Sequence, residues 1–143
     1  LISACCAIDA SNFIARDETP LAISLSRPPG HHAGRNFYHG FCFINNAALA
    51  ARTLYRDGFK TAILDFDVHH GDGTQDIFYG TGEALYVSIH VDPNNSFPAT
   101  GFEYEQGEGK GLGLICNLPI EKGTSSETYK TYPEVALVLI VTV

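Results

Sequence analysis

Apolar positions change their spacing along the chain, and the changes mark out elements. From Leu1 to about Arg16 apolar side chains recur at roughly helical spacing, which predicts a helix. Leu21 to Leu25, a short apolar run after Pro20, predicts a buried strand. Arg27 to Gly40 holds two prolines and three glycines and predicts a loop. Asn45 to about Asp57 is rich in alanine and leucine, a helix with Gly58 placed as its stop. Thr61 to Phe66, Ala84 to His90 and Leu114 to Leu118 predict strands. Thr74 to Tyr79 predicts a short helix, and Val91 to Gly113 a long loop punctuated by proline and glycine. Ser125 to about Tyr132 predicts a helix start that Pro133 disturbs.

Strands that alternate with helices predict an α/β fold with a mainly parallel sheet. Ligands of such sheets gather beyond the carboxyl ends of the strands. No repeat, low-complexity segment or linker is visible, so residues 1–143 read as one domain. The 45% apolar content is enough for a core. No run of about 18 uncharged apolar residues and no signal-peptide layout occur, so no membrane partner is expected. A net charge of −7 argues against direct nucleic-acid binding and is compatible with a cationic small molecule or a lysine-bearing peptide. Cys5, Cys6, Cys42 and Cys116 form no CxxC pair. They are expected to be buried free thiols in a reducing compartment, the cytoplasm. The chain has no methionine, begins inside an amphipathic pattern and ends inside an apolar one, VALVLIVTV, and so reads as a fragment.

The chemistry concentrates in ILDFDVHHGDG, Ile63 to Gly73. If strand geometry persists, Asp65, Asp67 and His69 share one face. Two of them could then offer a carboxylate oxygen and an imidazole nitrogen to one ion, a pairing that suits zinc or another divalent transition metal. The plainer reading is a solvated strand end with helix-capping aspartates. RPPGHHAG, Arg27 to Gly34, sets His31 and His32 after a rigid turn as candidates for acid–base work, or as incidental surface histidines. GFCF, Gly40 to Phe43, can expose a backbone carbonyl beside an apolar wall.

RPPGHHAG, GFCFINNAALAA, ILDFDVHHGDGTQDIFY and LYVSIH together resemble the histone deacetylase and acetylpolyamine amidohydrolase family, over about Arg27 to Ile120. GHHAGRNFY, CFINNAA, GTQDIFYG and HVDPNNSFP followed by GFEYEQGEGKG lean toward the acetylpolyamine amidohydrolase branch. The resemblance implies a three-layer α/β/α sandwich of the arginase and deacetylase kind, here partial and incomplete at both ends. It implies Zn²⁺ or another divalent metal on Asp67 and His69, and paired active-site histidines in His31 and His32. Asp65 would hydrogen-bond His31, and Asp72 would hydrogen-bond His32. The Gly40 carbonyl would accept the substrate amide N–H, and Phe41 and Phe97 would flank a channel for a methylene chain. Asp65, Ser88 and nearby backbone carbonyls would hold a structural K⁺, with a second site near Phe78 and Thr81. The implied reaction is hydrolysis of an acetyl amide, on acetyl-lysine or an acetylated polyamine. Glu103, Glu105 and Glu108 are candidate acidic rim residues. His90 is expected to be packed, His70 to support the backbone, and His39 to be a rim residue or to have no role.

The family pattern also includes a third metal ligand, an aspartate from a later loop, and a tyrosine near a late Gly-Gly-Tyr. Neither occurs in these residues, although VALVLIVTV resembles the strand that precedes the third ligand. Two other readings stand beside the deacetylase: a degenerate, non-catalytic binding domain, and an arginase-like ureohydrolase. The latter needs an aspartate where this chain has Gly71.

Overall fold

The structure is a computed structural model that describes residues 1–142. Its elements are α1 (Ile2–Ala15), α2 (Asn46–Arg56), β1 (Ala62–Asp65), α3 (Asp72–Phe78), β2 (Leu85–Val91), β3 (Ile115–Ile120), α4 (Ser126–Tyr129) and α5 (Thr131–Thr142). The strands form one parallel sheet in the order β1-β2-β3. Asp65 lies opposite Ser88, and Val91 opposite Ile120. Central β2 is buried almost throughout, as a parallel strand covered on both faces should be. Tyr86, with Phe78, Ala48, Ala51 and Ile115, builds the core against α2 and α3. Leu85, Val87, Ile89 and Ile120 meet Ala136 of α5 on the other face. Helices on both faces of a parallel sheet make the expected α/β/α sandwich.

Local chemistry places the histidine loop. Asn45 caps α2, its side-chain oxygen accepting from the Ala48 N–H at 3.0 Å. The same amide donates to the Ala33 carbonyl at 3.2 Å and to Thr74 Oγ1 at 3.0 Å. One buried side chain therefore joins the start of α2, the loop after His31 and His32, and α3. Asn46 Nδ2 donates to Ser3 Oγ at 2.8 Å, which links α2 to α1.

Three sequence-based expectations fail. Leu21 to Leu25 is not a strand: among the described residues no strand pairs with it, and Leu21, Ile23 and Leu25 are largely exposed. The tail is helical rather than extended. Pro133 falls in the first turn of α5, where the missing N–H costs little, and Tyr132, Ala136 and Ile140 rest on β2 and β3. Val143, the last residue of that run, lies outside the described residues. Of the four thiols, Cys42 is buried and Cys116 partly so, whereas Cys5 and Cys6 are exposed because α1 turns Ser3, Ala4, Ala7 and Ser11 inward.

Asn45→Ala removes a helix cap and strands two partners. It should lower unfolding free energy by about 1–3 kcal/mol in urea titration. A change within about 0.5 kcal/mol would show that the junction carries no load.

Candidate active site

Asp65 ends β1, and the chain then leaves the sheet through two successive Asx-type turns. The Asp67 N–H donates to Asp65 Oδ1 at 3.2 Å, and the His69 N–H to Asp67 Oδ1 at 2.9 Å. The strand alternation expected through His69 therefore stops at Asp65, and the turns bring Asp67 and His69 together instead. Asp67 Oδ1 stands 3.3 Å from His69 Nδ1, and both side chains are about half exposed.

Each of the two adjacent histidines meets an aspartate. His31 Nδ1 is 2.9 Å from Asp65 Oδ2, and His32 Nδ1 is 2.7 Å from Asp72 Oδ1. The two rings lie 4.0 Å apart between centroids. Burial alone would lower the pKa of His31. The hydrogen bond and charge of Asp65, with Asp67 and Asp72, outweigh it and leave His31 above its ordinary 6.5. Burial opposes ionisation of Asp65 and Asp72 too. His31 bonded to Asp65, and His32 and His39 bonded to Asp72, still hold both acids below the ordinary carboxylate value.

Two members of this network have no sequence signal of their own. The buried Tyr86 hydroxyl donates to Asp65 Oδ2 at 3.0 Å and lies 3.2 Å from the Gly71 carbonyl. It arrives by strand register, two residues before Ser88 on β2. His39 Nε2 reaches Asp72 Oδ2 at 2.6 Å, so the second aspartate serves two imidazoles. The ligand atoms of His32, His39 and Asp72 lie within 4.8 Å of one another, a group able to hold a divalent metal ion.

Phe97 caps the imidazoles, its ring 5.0 Å from those of His32 and His39 and 6.0 Å from that of His69. Gly40 sits against the His32 ring, where a Cβ would collide with it, and has φ +54°. Phe41, next to Gly40, is largely exposed and borders a cavity of about 680 Å³ with Pro29 and Phe43. Gly71 is just as constrained, since a Cβ there would run into the Tyr86 hydroxyl and the Asp65 carboxylate. Ser88 Oγ pairs with His90 Nδ1 at 2.8 Å. His70 and His90 are buried 4.7 Å apart. Of the three candidate rim acids, Glu105 turns inward, bonding the Gly101 N–H and Gln75.

A sequence model of the histone deacetylase domain matches residues 1–142. The chain belongs to the histone deacetylase family. It is 50% identical over 121 residues to the acetylpolyamine amidohydrolase of Burkholderia pseudomallei (strain 1710b), covering 84% of this chain and 36% of that protein. It is also 50% identical over 126 residues to the acetylpolyamine amidohydrolase of Mycoplana ramosa, covering 87% and 37%. The crystal structure of acetylpolyamine aminohydrolase from Burkholderia pseudomallei superposes with a TM-score of 0.92 at 45% identity, over 98% of this chain and 41% of that one. The chain thus spans little more than a third of the curated relatives' length.

Burial, and for His70 also the neighbouring His90, lowers both buried histidines, His70 to about 3. Their folded pKa values lie below the unfolded value near 6.5, so the unfolded chain binds more protons as acid is added. Stability should therefore fall as pH drops below 6.5, the His70 contribution continuing toward pH 3 at about 1 kcal/mol per pH unit and the His90 contribution running in the same direction. His31, raised in the fold, works against part of that loss. Denaturant midpoints from pH 7 to 5 should decline, and His90→Gln should flatten the slope. An unchanged slope in that variant would refute the assignment.

Proposed function

We propose that this domain serves metal-dependent hydrolysis of acetyl amides, with acetylated polyamines as the substrate class. The observation that carries the reading is the pair of adjacent imidazoles, each fixed at Nδ1 by its own carboxylate. An imidazole so held keeps its other nitrogen free and more basic. The named activities of the relatives and the net charge of −7 favour a cationic acetylated amine. The four unpaired thiols favour a reducing, cytoplasmic setting.

Asp67 and His69 are the residues assigned to hold the divalent ion, zinc by preference. One carboxylate oxygen and one imidazole nitrogen fit its donor chemistry, and both are accessible. The alternative cluster of His32, His39 and Asp72 is less suited, because both Asp72 oxygens are already engaged by imidazoles. When bound, the ion supplies Lewis acidity toward the amide carbonyl and the attacking water. His32 takes the proton of that water and returns it to the leaving amine nitrogen. His31, tied to Asp65, contributes charge. The Gly40 carbonyl accepts the amide N–H, and Phe97 with Phe41 guides the methylene chain. Asp65 and Ser88, neighbours across β1 and β2, are assigned to a structural K⁺. A ureohydrolase centre is disfavoured, because the crowding at Gly71 leaves no room for the aspartate it requires.

Catalytic zinc is commonly held by three protein ligands. Among the described residues no third His, Cys, Asp or Glu joins Asp67 and His69 in a ligand group. Loss of an oxyanion donor alone lowers turnover by about 10²–10³. The 143-residue chain supplied with Zn²⁺ should therefore turn over acetylputrescine far more slowly than the Mycoplana ramosa enzyme. Asp67→Ala and His69→Ala should each cut zinc uptake measured by elemental analysis. Retention of metal by both variants would overturn the ligand assignment. Turnover equal to that enzyme's would overturn the expectation of weakness.

A further inference from the structure

Phe97 stands at the crown of an arch in the loop between β2 and β3. One foot is fixed where the Asp92 N–H donates to the Ile120 carbonyl at 2.9 Å. The other is Gly101, and side chains from several elements hold it. Glu105 Oε2 accepts from the Gly101 N–H at 2.8 Å and from Gln75 Nε2 at 2.7 Å. Gln75, buried on α3, accepts in turn from Asn117 Nδ2 of β3 at 2.8 Å. The Gly101 carbonyl is 2.9 Å from His90 Nε2, and Thr100 Oγ1 is 2.8 Å from His70 Nδ1. The foot is crowded: a Cβ on Gly101, whose φ is +93°, would come within 2.5 Å of both His70 and His90. Glu103 and Glu108, in the same acidic stretch, join this region through backbone groups.

We propose that Glu105 is a positioning residue. Through Gly101 and Gln75 it sets where Phe97 lies over His32, His39 and His69, and hence the width of the approach to the paired imidazoles. Three observations converge on it. Its acceptor oxygen is shared by the loop backbone and by α3. The arch between the two feet is short, so movement at Gly101 is passed to the crown. Phe97 packs against three rings whose own anchors, Asp72 and the turn after Asp65, lie elsewhere. Phe97 can therefore shift without dragging the imidazoles with it. The significance for catalysis rests on the proposed hydrolase reading; the anchoring does not.

The chain has no tryptophan, so Phe97→Trp creates a single-site fluorescence reporter. In that background Glu105→Ala, Glu105→Gln, Gln75→Ala, Glu103→Ala and Glu108→Ala are compared by acrylamide quenching and anisotropy. Far-UV circular dichroism is recorded on the same samples. Glu105→Ala and Gln75→Ala should each raise the quenching constant of the indole about twofold, and their combination should be less than additive. Glu105→Gln keeps a carbonyl acceptor and should behave like the parent, as should Glu103→Ala and Glu108→Ala. If Glu105→Ala does not fold, Gln75→Ala carries the same reading, since it cuts the tether to α3 and leaves Glu105 in place. An unmoved indole in the alanine variants would overturn the proposal. So would a glutamine variant as disturbed as the alanine one, or a change that only tracks loss of helical signal. The reporter needs no turnover, so absence of amide hydrolysis and absence of anchoring are separate results.

Discussion

The largely enclosed carboxylate of Asp65 sets the terms for the rest of the site. An ionised carboxylate out of water costs several kcal/mol unless hydrogen bonds replace its hydration. At the end of β1 two of those bonds come from distant parts of the chain, His31 in the loop before α2 and Tyr86 on β2, and a third from the N–H of Asp67 two residues on. Satisfying that one group forces the histidine loop down onto the sheet and turns the chain sharply after the strand. The turn then leaves Asp67 and His69 side by side at the sheet's carboxyl edge. Gly71 belongs to the same requirement, because its lack of a side chain is what lets the Tyr86 hydroxyl reach the carboxylate.

What could be read from the sequence follows the range of each interaction. Asp65, Asp67, His69 and Asp72 lie within one short segment, so their chemistry shows in the spacing. The contacts of His31 with Asp65 and of His32 with Asp72 join residues 34 and 40 positions apart, a range at which only the family motifs, and no local spacing, suggest a partner. Tyr86 looked like one more apolar strand residue, and its role depends on pairing register that no local pattern encodes. His39 depends on the path of the loop between Gly34 and Gly40, which proline and glycine content marks as irregular without saying where it goes. Glu105 has a surface residue's composition and a buried residue's bonds, because its partners lie on α3 and across a turn of its own loop.

The failures have a different origin. Strand-like composition is a statement about side chains that suit a pleated surface, and it becomes a strand only beside a pairing edge. Leu21, Ile23 and Leu25 have no such edge among the described residues and stay exposed. The β-branched tail forms a helix that rests Tyr132, Ala136 and Ile140 on the sheet while Val135, Leu137, Val138 and Val141 face outward. Propensity gives no reason for that choice; contact with β2 and β3 does.

One device recurs. Asp65 takes His31 and Tyr86, Asp72 takes His32 and His39, and Glu105 takes the Gly101 N–H and Gln75. Each time a carboxylate accepts from two donors well apart in sequence, which a single-donor group such as an indole N–H could not do. Bonds to a charged acceptor are worth roughly twice neutral ones, so each junction holds its segments more firmly than a pair of amides would. The sheet is only three strands wide, yet the loops above it are held by polar junctions as much as by apolar packing. Such junctions are directional: they fix the orientation of an imidazole as well as its position, and orientation is what proton transfer needs. The acidity that gives this chain its negative charge is therefore partly internal, spent on aiming histidines and the loop above them.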